Sequence, residues 1–130
     1  MNKIIHTENA PAAVGPYSQA VEANGMLFIS GQIPLNATTG KIVEGGIVEQ
    51  TEQVMQNIEA ILTEAGYKFT DVIKSTCLLS DMENFGAMNE IYGKYYASNP
   101  PARAAFAVKG LPLGVLVEIE TIAVKCVEKN

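Results

Sequence analysis

Tryptophan is absent from this chain of 130 residues, histidine and arginine occur once each, and cysteine occurs twice. Each shortage removes a class of chemistry. His6 is the single histidine, so a Ser-His-Asp or Cys-His nucleophilic engine, or a multi-histidine metal site, would rest on one residue of an N-terminal strand. Such sites are not expected, and His6 reads as a solvated strand residue. Cys77 and Cys126 are too few and too far apart for a disulfide framework or a zinc site, and both read as reduced structural thiols. Positive charge is also scarce. Eight lysines are scattered singly beside one arginine, against 14 acidic residues, for a net charge of -5. No basic stripe is available to neutralise phosphates, and nucleic acid is not an expected partner. The apolar runs are only a few residues long and MNKIIHTENAP lacks the apolar core of a secretory signal. The expectation is a cytoplasmic protein with no membrane span.

What the chain does have is apolar mass. With 48% hydrophobic and 18% charged residues, it should fold as one domain over residues 1–130. A chain of this length buries roughly two thirds of its unfolded surface. Its charged fraction is low for a protein that covers itself alone, which points to an oligomer.

Residues 3–6 suit a short edge strand. Residues 17–21 and 26–33 are two strand-like runs joined through Asn24-Gly25, a strong hairpin signal. Gly31 within the second run implies a bulge or the close approach of another group. From Ile47 the apolar and small residues Thr51, Val54, Ile58, Ile61 and Ala65 recur at steps of three and four, predicting a helix closed by Gly66. Residues 72–79 read as a strand. Ser80-Asp81-Met82-Glu83 matches a capping box that opens a second helix running to about Ala97, before Asn99-Pro100-Pro101. Its inward stripe is Phe85, Met88 or Asn89, Tyr92 and Tyr96, with Asn89 free to bond a neighbouring backbone group or a ligand.

The stretch PARAAFAVKGLPLGVLVEIE, residues 101–120, holds Arg103 and ends in the paired carboxylates Glu118 and Glu120. Alternation places Arg103, Ala105, Ala107 and Lys109 on one side of a strand, and Leu116, Glu118, Glu120 and Ile122 on one side of the next. Gly110, Pro112 and Gly114 read as the turn between them. A hairpin would bring Arg103 near the glutamates, either as a structural ion pair at a strand end or as a site. The element order β-β-β-α-β-α-β-β gives an α+β fold, a single mixed sheet with two helices on one face. Strands 26–33 and 115–124 are apolar on both sides, and no helix remains to cover the second face. Self-association through that face, with cyclic symmetry, is the simplest solution.

The runs APAAVGPYSQAV (10–21), LFISGQIPLNATTG (27–40), NIEAILTEAG (57–66), PARAAFAV and LPLGVLVEIETIAV (101–124) resemble the Rid/YjgF family of RidA-type reactive intermediate deaminases. The resemblance spans nearly the whole chain in the family's order, and GPYSQ, SGQIP, PAR and VEIE together are specific to it. It implies a chorismate-mutase-like subunit whose sheets line the barrel of a homotrimer, with sites in the clefts between subunits. It also implies hydrolysis of 2-imino acids such as 2-iminobutanoate and 2-iminopropanoate to 2-oxo acids and ammonia, with no cofactor and no metal. Matched by motif, the binding arginine falls on Arg103, the water-positioning glutamate on Glu118, the site tyrosine on Tyr17, the strand-end pair on Ser30 and Gly31, and the helix asparagine on Asn89. Glu120 does not match the catalytic position and is assigned a structural role. Ala105 stands where many relatives have a cysteine, so no thiol acts there, although its backbone can still bond a ligand.

The residue types suit that chemistry. A guanidinium donates two parallel charge-assisted bonds to a carboxylate, and a carboxylate base can orient the attacking water. The rival class is a non-enzymatic sensor or regulatory module for small carboxylates, which needs Arg103 but no base. Ribonuclease, translation-inhibition and chaperone-like roles, also associated with the family, fit the acidic balance less well.

Overall fold

A computed structural model describes residues 2–125; Cys126 lies outside the described residues. The elements follow the expected order: β1 Lys3–Ile5, β2 Ala20–Ala23, β3 Met26–Gln32, α1 Ile47–Ala65, β4 Val72–Leu79, α2 Phe85–Tyr95, β5 Ala102–Ala107 and β6 Val117–Val124. Asn24 and Gly25 both take positive φ (51° and 74°), the geometry that lets a two-residue turn follow the twist of β2 and β3. α1 opens at Gly46, whose backbone N–H is accepted by Glu49 Oε1 at 2.8 Å, and closes at Gly66. Its face of Thr51, Val54, Met55, Ile58, Ile61 and Leu62 is fully buried. Burial of each large apolar side chain contributes about 1.5–3 kcal/mol, so this face fixes which side of the sheet the helix covers.

The six strands form one mixed sheet in the order β1-β2-β3-β6-β4-β5. The expected hairpin between β5 and β6 is not formed. β5 instead pairs parallel to β4, as the crossover through α2 requires, while β6 inserts antiparallel between β3 and β4. Burial explains the choice. Val117, Ile119, Thr121 and Ala123 of β6 are all at most 1% exposed, which only a central strand can achieve, whereas no residue of β5 is fully buried and β5 takes the edge.

Three local expectations are also revised. β2 starts at Ala20 and leaves Tyr17 in the preceding loop. The buried Gln19 side chain is committed there to backbone groups of Thr7, Ala10 and Pro11, which holds the loop against the sheet. Ser80 does not cap the second helical segment, since its N–H bonds Leu116 O across the end of the sheet. Asp81 does so instead, accepting from Glu83 N at 2.9 Å and opening a 3-10 turn, Met82–Asn84, that leads into α2. That helix ends at Tyr95, two residues short of Ala97.

Both helices share one core with the same sheet face, in which Leu27, Ile29, Cys77, Leu79, Val117 and Ile119 meet Val54, Ile58, Met88 and Tyr92. The other face is bare. Phe28 and Phe106 stand on it 43% and 47% exposed, and Ile122 is half-buried beside Phe28. No described helix is long and apolar enough to cross a membrane.

Candidate functional site

Residues paired across neighbouring strands lie on the same face of a sheet, so the register decides which site residues can meet. Arg103 pairs with Ser75, and Ser75 with Thr121. Ser75 and Thr121 are buried against the helices, and this row therefore faces α1 and α2. Glu118 pairs with Leu78, and Leu78 with Phe106, in a row that faces the bare side. Arg103 and Glu118 thus stand on opposite faces, with β4 between their strands. The expected proximity of Arg103 to Glu118 and Glu120 does not occur within one chain, so no ion pair forms between them there.

On the covered face, half-buried Arg103 reaches out to α2 at the sheet edge. Nη1 donates to Asn89 Oδ1 at 2.7 Å. The guanidinium carbon lies 4.9 Å from the Tyr92 ring centre and 5.5 Å from that of Phe85. Phe85, Asn89 and Tyr92 are spaced four and three apart, which puts them on one helix face. Asn89 is exposed, so it serves this side chain and not the core. A shallow cleft of about 410 Å³ opens here, lined by Arg103, Asn89, Tyr92, Tyr96 and the Pro100-Pro101 pair. Ala105, one strand position pair beyond Arg103, sits opposite Cys77. Burial pushes the Cys77 thiol up to about 11, with Arg103 pulling back against it, so it stays protonated and unreactive.

On the bare face a larger cleft of about 600 Å³ collects Tyr17, Ser30, Gly31, Glu118 and Glu120, with Pro11, Val14, Leu35 and Leu113 as an apolar rim. The register of β3 against β6 slips between Ile29 and Gln32, the bulge that Gly31 implied. The close approach is present as well. A Cβ at Gly31 would collide with Glu118 Oε2 and lie 3.0 Å from Glu118 Cδ, so only glycine lets this carboxylate lie over the strand. Ser30 is fixed beside it, donating its hydroxyl to Ser18 O at 2.6 Å and its N–H to Gln19 O at 3.0 Å. Tyr17 is half exposed and its hydroxyl accepts from Val14 N at 3.4 Å. Glu118 is half-buried, and burial first and Glu120 second raise its pKa from the ordinary carboxylate value.

Sequence reasoning missed two features. Tyr92 and Phe85 read in the sequence as core stripe, yet both frame the guanidinium; their spacing with Asn89 was the available signal. Leu113, which holds a left-handed φ of 57° between Pro112 and Gly114, reads in the sequence only as turn, yet it stands 70% exposed on the rim of the larger cleft. Among the described residues no cluster of three or more His, Cys, Asp or Glu is arranged to hold a metal ion.

Comparison with known proteins gives a consistent assignment. Residues 7–125 match the family model described as Endoribonuclease L-PSP. The chain is 54% identical to a RutC family protein of Pyrococcus horikoshii over 96% of its length and 99% of that protein's. It is 50% identical to the 2-iminobutanoate/2-iminopropanoate deaminase of Mus musculus, over 96% of its length and 93% of that protein's. The crystal structure of a protein of the Rid family from Yersinia pestis superposes with a TM-score of 0.93 at 45% identity, covering 96% of this chain and all of the other.

Proposed function

Given that this chain belongs to the Endoribonuclease L-PSP family, the Rid proteins, we propose that it hydrolyses 2-imino acids to 2-oxo acids and ammonia in the cytoplasm. The active unit in this reading is a homotrimer of single-domain subunits. Arg103, Asn89 and Ala105 of one copy face Tyr17, Ser30, Gly31 and Glu118 of the next. The observation that carries it is the placement of an available guanidinium and a proton-accepting carboxylate on opposite faces of one sheet, each in a cleft that opens outward. Neither cleft alone can both hold a carboxylate and activate water. Stacked head to tail around a closed ring, each copy supplies what its neighbour lacks, and the bare apolar face is covered in the same step.

Arg103 takes the substrate carboxylate in its planar fork, which fixes the imine carbon relative to Glu118. Glu118 takes a proton from water as the oxygen adds to that carbon and passes it to the imine nitrogen, giving a neutral tetrahedral carbinolamine. Glu118 then takes the carbinolamine hydroxyl proton and delivers it to nitrogen as the C–N bond breaks, so that ammonia leaves, the 2-oxo acid forms and the carboxylate is restored. A base whose pKa lies closer to working pH transfers protons in both directions more readily, which suits the raised pKa of Glu118. The apolar rim around Tyr17 suits a short aliphatic substrate side chain.

The half-buried Glu118 with its raised pKa favours catalysis over the sensor reading, because a carboxylate binder has no use for a base. Nuclease activity is disfavoured by the net charge of -5 and the scattered lysines. The deciding experiment is a coupled assay in which an amino-acid dehydratase generates the imine and semicarbazide competes for it. Addition of this protein should speed 2-oxo acid formation and suppress trapping. Trapping unchanged from the spontaneous rate would refute the deaminase reading.

A further inference from the structure

Arg103 is the single arginine of the chain, and the way it is held is unusual for a cation packed against a core. Its hydrogen bond goes to a neutral amide oxygen, Asn89 Oδ1, and not to a carboxylate. The nearer of its two ring neighbours is Tyr92, at 4.9 Å from guanidinium carbon to ring centre. That ring is itself immobilised. Tyr92 is 5% exposed and packs on Tyr96 at 4.7 Å between ring centres, and Tyr96 in turn meets Phe69 edge-on at 5.3 Å. The Tyr92, Tyr96 and Ser75 hydroxyls are buried close together, and none meets the full geometry of a hydrogen bond. The ring, and not a well-formed bond from its hydroxyl, is what Tyr92 presents to Arg103.

We infer that Tyr92 is a positioning residue for the proposed carboxylate-binding step: its ring face holds the Arg103 guanidinium flat, while Asn89 fixes the rotation of the fork within that plane. The inference rests on the reading of Arg103 as the carboxylate anchor. A guanidinium attached through four single bonds samples many orientations, and two-point binding uses only one of them. The stacked ring removes rotation out of the plane, and the bond to Asn89 removes rotation within it. Neutral partners leave the positive charge undiminished for an incoming anion, which a paired carboxylate would not. The ring acts through its electron-rich face and not through its hydroxyl, which separates this role from simple packing.

The test replaces position 92 and reads 2-oxobutanoate affinity by calorimetry, and imine KM and kcat, on the assembled protein. Tyr92→Phe keeps the face and should stay within about twofold of the parent, whereas Tyr92→Leu should weaken binding about tenfold, raise KM and lower kcat, because a loosened fork no longer fixes the imine carbon. Because a leucine in this stack could unfold the protein, phenylalanine carrying two and then five ring fluorines provides a series of nearly constant shape. Affinity should fall stepwise as fluorine withdraws charge from the ring. Equal affinity for the phenylalanine and pentafluoro forms, parental binding by Tyr92→Leu, or a loss in Tyr92→Phe as large as in Tyr92→Leu would each overturn the assignment. A ligand-free readout separates this failure from failure of the functional reading. With arginine labelled by nitrogen-15, the single side-chain Nε–H signal should sit upfield under the ring and return to the exposed position in Tyr92→Leu. If the parent binds no 2-oxo acid, the functional reading falls, and the Nε–H signal still decides whether Tyr92 holds Arg103.

Discussion

The two faces of the sheet handle charge in opposite ways. On the covered face Arg103 is clamped by an amide and two aromatic rings at the edge strand, where its charge is left available. On the bare face Glu118 lies folded over Gly31 of the neighbouring strand, where burial first and the nearby Glu120 second disfavour its charge. In the proposed reading each arrangement is incomplete: the first would hold an anion without activating anything, and the second would accept a proton without anchoring a substrate. The contrast teaches that the parity of the strands puts Arg103 and Glu118 on separate faces of one copy, so that the proposed reaction would need a second copy to bring them together.

The sharpest way to break this contrast is at the cation. Arg103→Ala should weaken 2-oxo acid binding by about 2–5 kcal/mol, the range for truncating one partner of a buried charge pair, and Arg103→Lys should recover only part because an ammonium lacks the fork. Calorimetry checks this, and parental affinity in the alanine variant would move the anchor elsewhere. At the carboxylate the loss should appear in rate and not in binding. Glu118→Gln is expected to lower imine hydrolysis about a hundredfold or more while 2-oxo acid affinity stays within a few fold. Gly31→Ala probes the same group through its support. The added methyl would displace the Glu118 carboxylate, and turnover should drop by about tenfold or more with binding at Arg103 retained.

The smallest effect concerns Glu120. In the proposed reading the ionised form of Glu118 is the base, so activity should rise with pH through its pKa, which is raised from the ordinary carboxylate value. Glu120→Gln removes one of the two causes of that rise, the lesser one, and should shift the acid limb of the pH profile to lower pH without abolishing activity. An unmoved limb would show that burial alone sets the pKa. The same sign governs stability. A carboxylate with a raised folded pKa binds its proton more tightly folded than unfolded, so it costs stability as pH rises above its unfolded value. Glu118→Gln should therefore stabilise the fold at neutral pH, and that gain should vanish in acid, as thermal unfolding at the two pH values would show.

Much of this architecture is legible in the amino-acid sequence. Period-two runs, the Asn24-Gly25 turn and the three-four stepping from Ile47 locate the strands and α1, because each is a local signal set by residues close in the chain. Locality is also why the order of residues suggests a β5–β6 hairpin that does not form. Residues Pro112–Gly114 do form a turn, but where the next strand goes is decided by burial of Val117, Ile119 and Ala123, a property of the whole sheet. The proposed site residues come from motif alone. Their division between two faces cannot be read there, because the irregular segment between β5 and β6 breaks the count of alternation from Arg103 to Glu118. Tyr92 shows its place beside Arg103 only through its spacing with Asn89, because a buried aromatic at helical spacing otherwise looks the same whether it fills a core or faces a cation.

The central claim, that Arg103 and Glu118 act together across two copies of the chain, is tested most directly by mixing two inactive variants. Arg103→Ala and Glu118→Gln are co-expressed at equal levels, and imine hydrolysis is compared with each variant alone. In a head-to-tail ring every site takes its arginine from one copy and its glutamate from the next, so random assembly should restore about a quarter of the sites. Recovery to about that fraction of parental turnover, in particles of three times 13.9 kDa by light scattering, is the predicted result. A mixture no more active than its components, despite joint assembly, would contradict the claim.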